Sequence, residues 1–201
     1  MLWISCQKGD SHDETIILLG EESYVKTFKS MIPDTLYSKF VSQMGNIYEG
    51  YIPPNIEGEY FVDPKECIHS NFNTVDHSHD MIFRITDQHN RVARIQLYDG
   101  GSVITDTVFV MGNNQFFTVY FTENKIMPHV NGTYSHIIRN VFITGEKTDY
   151  GIRNLMYGNI LTSVPTISDP FVINFEPGNY FIYTDTDGFS ENCDWFEKHG
   201  Y

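Results

Sequence analysis

The stretch Ile52-Pro53-Pro54-Asn55-Ile56-Glu57-Gly58-Glu59-Tyr60 decides how the chain is divided. Pro53 and Pro54 fix φ and lack amide hydrogens, so neither a helix nor a central strand can run through them. Gly58 permits a sharp bend, and Tyr60 begins a pattern of residues that favour strands. We predict that the stretch delivers an irregular lead-in onto the first strand of a β-domain. A plain linker is the alternative.

Downstream of this stretch, short segments rich in β-branched and aromatic residues alternate with turn residues. Many short strands with frequent turns predict a mainly β fold, an antiparallel barrel or sandwich. Closure into a barrel would also remove exposed edges. The predicted strands are Glu59–Ile68, Met81–Thr86, Val92–Tyr98, Val103–Met111, Phe116–Thr122, Tyr134–Thr144, Ile152–Leu161, Phe171–Phe175 and Tyr180–Thr184.

Upstream of the two prolines, apolar residues recur at helical spacing in two short segments separated by Pro33. Such a stripe more often packs on a core than binds a partner. We therefore expect short N-terminal helices packed at one end of the barrel, as a lid or plug, with a partner-binding helix as the alternative. The apolar positions are Tyr24, Phe28 and Met31, then Leu36, Tyr37, Phe40, Val41 and Met44.

Length and charge restrict the classes of protein to consider. The chain has 201 residues, which suits one domain, and 13 Tyr and 15 Phe that can fill a core. Its formal net charge of −13 argues against nucleic acid, and against anionic lipid bound through a basic patch. The sequence has no apolar run of about 18 residues, the length that a membrane-spanning helix needs.

The N-terminus carries a first resemblance. Ile4-Ser5-Cys6 resembles the end of a bacterial lipobox, which implies lipidation of Cys6 and identifies residues 1–5 as the remnant of a signal peptide. The charged residues that follow Cys6 resemble acidic export signals, so residues 6–20 are expected to form a flexible tether. The implied location is the bacterial outer membrane, lipid-anchored and exposed at the cell surface. The alternative is an accidental apolar start with a cytoplasmic cysteine.

A second resemblance concerns the fold. Gly58-Glu59-Tyr60 resembles the Gly-x-aromatic opening of lipocalin-like (calycin) barrels. Together with three further segments, this opening makes the chain resemble uncharacterised bacterial outer-membrane lipoproteins. The resemblance runs from about Glu21 to Asp194. This implies one lipocalin-like domain of about eight strands over 21–201, with a helical lead-in (21–45), a barrel (52–184) and an acidic tail (185–201). The three segments are Ile143-Thr144-Gly145-Glu146-Lys147, Gly151-Ile152-Arg153-Asn154 and Asp185-Thr186-Asp187-Gly188.

Cysteine and histidine give the first candidate sites. Cys67 and Cys193 could form a disulfide in an exported protein, although two free thiols are equally consistent with the sequence. His77 and His79 would face the same side of an extended strand. With a third ligand such as His69, they could hold a transition metal. The alternative is a surface loop without a convergent third donor.

Clustered acids give one further candidate. Asp185 and Asp187, followed by Gly188, could contribute to a calcium site, because hard cations bind carboxylate oxygens around tight turns. A simple Asp-Gly turn is the competing interpretation, since the EF-hand pattern is not met.

Motifs for catalysis are missing from the sequence: there is no Gly-x-Ser-x-Gly elbow, no His-Glu-x-x-His and no phosphate-binding glycine loop. We expect a non-catalytic, monomeric protein without a cofactor. It would bind a small apolar or glycan ligand in the barrel through residues that the sequence does not identify. The alternative is an interaction or accessory module of an outer-membrane assembly, with a barrel filled by its own side chains.

Overall fold

The computed structural model describes residues 34–72, 79–99, 102–128, 134–163 and 176–201. These residues form two helices, α1 (Asp34–Met44) and α2 (Trp195–His199), and ten strands. The strands are β1 (Tyr51–Ile52), β2 (Gly58–Ser70), β3 (His79–His89), β4 (Val92–Asp99), β5 (Ser102–Asn113), β6 (Phe116–Pro128), β7 (Tyr134–Lys147), β8 (Gly151–Ser163), β9 (Tyr180–Asp185) and β10 (Phe189–Asn192).

Strands β2 to β9 form a closed barrel. Each strand pairs antiparallel with the next, and β9 pairs antiparallel with β2, so that eight strands close into a ring. The prediction of a mainly β, lipocalin-like antiparallel barrel of about eight strands is confirmed. Eight of the nine predicted strands coincide with these eight elements, and the ninth, Phe171–Phe175, lies outside the described residues.

Two consecutive strands, β9 and β10, share the last position in the barrel. β9 pairs with the far half of β2, where Lys65 lies opposite Asp185, and β10 pairs with the near half, where Glu191 lies opposite Phe61. Both strands also pair with β8. The sequence analysis assigned this part of the chain to an acidic tail beginning at residue 185. That boundary is corrected, because β10 completes the sheet and α2 packs on it.

The barrel has two different ends. At one, here the turn end, β3–β4, β5–β6 and β7–β8 are joined by turns of two or three residues. The lead-in residues 53–57 close this end: Tyr60 Oη donates to the carbonyl of Ile56 over 2.9 Å, and Gln88 Oε1 accepts from the Ile56 amide over 2.9 Å. The opposite end, here the loop end, is where β2, β4, β6 and β8 finish.

Alternation along the strands fills the interior with apolar side chains, because successive residues point to opposite faces. Residues from both ends of the barrel and from all eight of its strands contribute to one buried cluster. Its members include Ile56, Tyr60, Phe83, Ile85, Ile95, Leu97, Val110, Phe117, Val119, Phe121, Val141, Ile143, Leu155 and Tyr157.

Helix α1 packs against the outer wall of the barrel. Phe40 contacts Phe142 and Tyr180 at ring-centroid distances of 5.2 and 5.7 Å, and Tyr180 Oη donates to Gln43 Oε1 over 2.5 Å. These barrel residues face outward and form a second buried cluster, separate from the interior. Among the described residues, α1 thus covers the wall and leaves the interior to the strands. The predicted segment before Pro33 lies outside the described part of the chain.

Helix α2 is held on the opposite part of the wall by Glu59, a buried residue of β2. Glu59 Oε1 accepts a hydrogen bond of 2.7 Å from the amide of Phe196, and the Cys193 amide donates to the Glu59 carbonyl over 2.9 Å. Phe196 is completely buried, with the guanidinium of Arg84 4.7 Å from its ring centroid.

Candidate functional site

A cluster of charged side chains lies inside the barrel toward the loop end. The ammonium of Lys65 is 2.6 Å from Asp99 Oδ1, and Arg139 Nη2 is 3.5 Å from Asp99 Oδ2. Arg139 Nε also donates to Glu123 Oε2. These four residues come from four strands and form one connected ion-pair chain, here called the interior charge cluster. Glu123 has no solvent exposure, and Lys65 is 2% exposed.

The local backbone explains why these side chains point inward. Asp99 continues the inward series Ala93, Ile95 and Leu97 of β4, and Glu123 continues the same kind of series in β6. Lys65 is different, because the four residues 62–65 of β2 lie opposite only three residues, 79–81, of β3. This one-residue bulge reverses the alternation, so that Lys65 faces inward like Val62.

Aromatic rings surround the ammonium of Lys65. It lies 4.5 Å from the ring centroid of Tyr183 and 5.4 Å from that of Tyr157. The two tyrosines are 5.6 Å apart, and Tyr183 stacks on Phe181 at 6.3 Å. A cation over aromatic faces is stabilised by the ring quadrupole, more so where water is excluded.

Electrostatics keep the guanidinium of Arg139 charged in this setting. Burial by itself lowers the pKa of Arg139, but the neighbouring Tyr157, Glu123 and Asp99 outweigh it and raise the pKa above its ordinary value. Two cations and two carboxylates therefore neutralise one another inside the barrel, which is the arrangement that makes buried charges tolerable.

Asp185 adds a third interior carboxylate, opposite Lys65 in the β2–β9 register. Its Oδ2 accepts a hydrogen bond of 2.8 Å from Ser190 Oγ. Burial raises the pKa of Asp185 to about 6, while the Ser190 hydrogen bond lowers it and the nearby Asp187 raises it. A carboxyl whose pKa rises through burial lacks the stabilisation that a close cation would give its charged form.

Several polar atoms of this region are buried and have no hydrogen-bond partner among the described residues. They are Glu123 Oε1, Asn159 Nδ2 and Asp185 Oδ1. Buried polar groups are nearly always hydrogen-bonded, and each one left unmatched costs about 1–3 kcal/mol. The unmatched atoms thus offer two acceptors and one donor in the interior.

The backbone pairing of β5 with β6 ends before Glu123. Pairing of β5 with β6 covers Phe109–Asn113 against Phe116–Tyr120, and among the described residues it does not extend toward the loop end. Glu123 lies beyond the last of these pairs. In the part of β5 that is not paired with β6, Asp106 Oδ1 accepts a hydrogen bond of 2.7 Å from the Thr107 amide. This bond satisfies one backbone donor of the unpaired strand edge.

The cysteine prediction resolves in favour of free thiols. Cys67 lies opposite Tyr183 in β2, whereas the Cys193 amide bonds to the carbonyl of Glu59, eight residues back along β2. At about 3.3 Å per strand residue, the two cysteines lie much too far apart for a bridge. Of the two possibilities that the sequence leaves open, the structure therefore has two free thiols.

The predicted metal ligands are not brought together where the structure describes them. His69 is exposed in β2, while Cys6, His77 and the side chain of His79 lie outside the described residues. Asp187 Oδ1 accepts from the Phe189 amide over 2.8 Å, which is an Asp-Gly turn, and Asp185 faces the interior. Across the described side chains, no group of three or more His, Cys, Asp or Glu could hold a metal ion.

Sequence reasoning missed Lys65, Asp99, Glu123 and Arg139. For Asp99 and Glu123 a signal existed, because each acid falls on the inward register of an alternating strand, where an apolar residue is expected. For Lys65 none existed, since the bulge that turns it inward is not evident from the sequence.

Comparison of the chain with protein-family models, curated protein sequences and solved structures finds no match. The class of the protein is thus defined by the topology of the strands: an antiparallel eight-stranded barrel of lipocalin-like type with a charged interior. Neither of the helices in the described residues combines the length and hydrophobicity needed to cross a bilayer.

Proposed function

We propose that the protein is a non-catalytic binding protein that holds a small ligand in the barrel interior, beside the interior charge cluster. The observation that carries the proposal is the set of unmatched polar atoms on Glu123, Asn159 and Asp185. A ligand that supplies donors and acceptors there would remove a cost of about 1–3 kcal/mol for each atom that it satisfies. Small-molecule sites commonly combine a few converging polar groups with apolar walls.

The kind of ligand follows from the same residues. Of the two ligand types expected from the sequence, a hydroxylated glycan fits better than a purely apolar molecule, because only the former can satisfy buried donors and acceptors. The rings of Tyr183, Tyr157 and Phe181 would pack against its apolar faces. The end of the β5–β6 backbone pairing next to Glu123 would provide a lateral way in.

In this proposal the barrel belongs to a lipoprotein anchored through Cys6 at the outer surface of a bacterial outer membrane. The support is the resemblance of Ile4-Ser5-Cys6 to a lipobox and the charged residues that follow it. Metabolic labelling with a fatty-acid analogue should modify the wild type and leave Cys6→Ala unmodified. Protease treatment of whole cells should degrade a surface-exposed protein, and protection from the protease would contradict the location.

Native mass spectrometry tests the binding function. Soluble protein starting after Cys6 is measured as purified, and again after denaturing extraction and refolding. We expect a discrete added mass that disappears on extraction, together with a fall in melting temperature, because a ligand that binds only the folded state stabilises it. An unliganded mass before extraction and an unchanged melting temperature would contradict the proposal.

A second candidate function is that of an interaction module with a filled barrel. It is favoured by three large apolar side chains exposed at the turn end, Tyr51, Ile52 and Tyr150, which are each more than three-quarters exposed. Cross-linking from a photoreactive residue at position 52 on whole cells would test it. A specific cross-linked partner from Ile52, but not from the exposed control position Glu66, would support this function.

A further inference from the structure

We infer that the ligand is a small organic amine, whose ammonium group pairs with Asp185. This inference rests on the proposed function and narrows its ligand class. It is carried by the balance of charge among the described interior side chains, where Lys65 and Arg139 face three carboxylates, those of Asp99, Glu123 and Asp185.

Lys65 and Arg139 form their ion pairs with two of these carboxylates, those of Asp99 and Glu123. Asp99 receives Lys65 on Oδ1 and Arg139 on Oδ2, and Glu123 receives Arg139 on Oε2. Asp185 is left with Ser190 as its donor, a neutral hydroxyl. Among the described side chains, no cation pairs with Asp185, although the residue is only 3% exposed.

The free oxygens show where a positive ligand group would bind. Among the described residues, neither Glu123 Oε1 nor Asp185 Oδ1 has a hydrogen-bond donor, and both belong to side chains that are more than nine-tenths buried. Both residues face the interior, since each follows the inward alternation of its strand. An ammonium group can donate to such an oxygen and neutralise its charge in one contact.

A metal ion suits the excess negative charge less well than an amine. The described side chains around Asp185 and Glu123 do not supply the three or more converging donors that an ion needs. The aromatic faces of Tyr157 and Tyr183 already accept one ammonium, that of Lys65. Such walls favour an organic cation, whose substituents pack on the rings.

The test compares two sugars that differ in one group. D-Glucosamine carries an amine where D-glucose carries a hydroxyl, so the pair keeps size and the other hydroxyls constant. Binding to ligand-stripped, refolded protein is measured near neutral pH by NMR titration. We expect glucosamine to bind about tenfold or more tightly than glucose, as one additional charge-assisted hydrogen bond allows.

Two variants test whether Asp185 causes the preference for glucosamine over glucose. Asp185→Asn keeps the acceptor for Ser190 and removes the charge, so it should abolish the preference for glucosamine. Glu66→Gln, which removes an exposed charge from the neighbouring strand β2, should leave the preference intact. Equal binding of the two sugars, binding of neither sugar, or an unchanged preference in Asp185→Asn would overturn the inference.

The ligand released in the native mass experiment separates this inference from the proposed function. A released molecule that reacts with an amine-specific reagent supports both. A released neutral molecule overturns the amine inference and leaves the binding function standing. The absence of any released molecule contradicts the binding function itself.

Discussion

Lys65 and Asp99 form a 2.6 Å ion pair across one intervening strand, inside the barrel, with side chains that are 2% and 7% exposed. Asp99 also receives Arg139, so one carboxylate holds two buried cations. The pair is the centre of the interior charge cluster. We expect the stability of the barrel to fall when any one of the four charges is removed.

Removing the charge of Asp99 should therefore destabilise the protein strongly. Asp99→Asn leaves Lys65 and Arg139 with less compensation, and breaking a buried ion pair costs about 3–5 kcal/mol. Denaturant unfolding measures the loss. The matched control is Asp194→Asn, whose partner Lys198 is largely exposed, and which should change little. Similar stability of Asp99→Asn and the wild type would show that the cluster is not a structural requirement.

Asp185 should make stability depend on pH. Because burial raises its pKa to about 6 in the folded state, the folded protein holds this proton more tightly than the unfolded chain does. Its contribution is fully present below the unfolded pKa of about 4 and is lost as the pH rises through about 6. Asp185→Asn should thus stabilise the protein at neutral pH by about 1–3 kcal/mol relative to wild type.

The measurement for Asp185 is a set of unfolding curves between about pH 4 and pH 7, the range that its two pKa values define. The stability difference between Asp185→Asn and wild type should grow with pH across that range. Glu66→Gln serves as the control, since Glu66 is an exposed acid of the neighbouring strand β2. A pH-independent difference for Asp185→Asn would mean that this carboxyl titrates normally.

Glu59 should anchor the C-terminal helix. Glu59→Ala removes the acceptor of the buried Phe196 amide, which costs about 1–3 kcal/mol. Hydrogen exchange of residues 193–201 should accelerate in this variant, and the fluorescence of Trp195, which stacks on Tyr98 at 4.6 Å, should change. Glu66→Ala, an exposed residue of the same strand, should leave exchange in this segment as it is in the wild type.

The thiol of Cys193 should react slowly. Burial raises its pKa to about 11, and the Trp195 amide, which lowers the pKa, does not compensate. Since the thiolate is the reactive form, alkylation at pH 8 should be much slower than that of a free peptide thiol. A non-reducing peptide map should contain Cys67 and Cys193 in separate peptides. A peptide that links them would refute the strand register described above.

The outer wall under α1 should not tolerate a larger residue at position 158. A Cβ on Gly158 would lie 2.6 Å from Phe40 Cζ, inside van der Waals contact. We expect Gly158→Ala to cost about 1–3 kcal/mol through overpacking and to increase proteolysis near residues 34–44. Ser163→Ala, at the exposed end of the same strand, is the control. Normal stability and protection in Gly158→Ala would mean that α1 is not held at this site.

The barrel itself could be predicted because its signals are local. Each barrel strand alternates over six to fourteen residues, and turn residues such as Asn90 and Asn114, both with positive φ, separate the strands. β10 was missed because Phe189–Asn192 is short and lies among acids. Only its pairing with β2 and β8, far away in sequence, makes it a strand.

The interior site could not be predicted in the same way. Its side chains belong to strands β2, β4, β6, β7 and β9, and their convergence depends on barrel closure and on the bulge before Lys65. The histidines and the Asp-Gly turn attracted attention because their residues are adjacent in sequence. Adjacent ligands are the exception in a barrel, where neighbours in the interior come from different strands.

The most direct test of the central claim is a high-resolution crystal structure of protein that has never been denatured, grown from the soluble form beginning after Cys6. The proposal predicts continuous density, larger than a water molecule, in contact with Glu123 Oε1 and Asp185 Oδ1. Density for isolated waters alone at these oxygens, or their direct pairing with protein groups, would contradict a ligand-binding barrel.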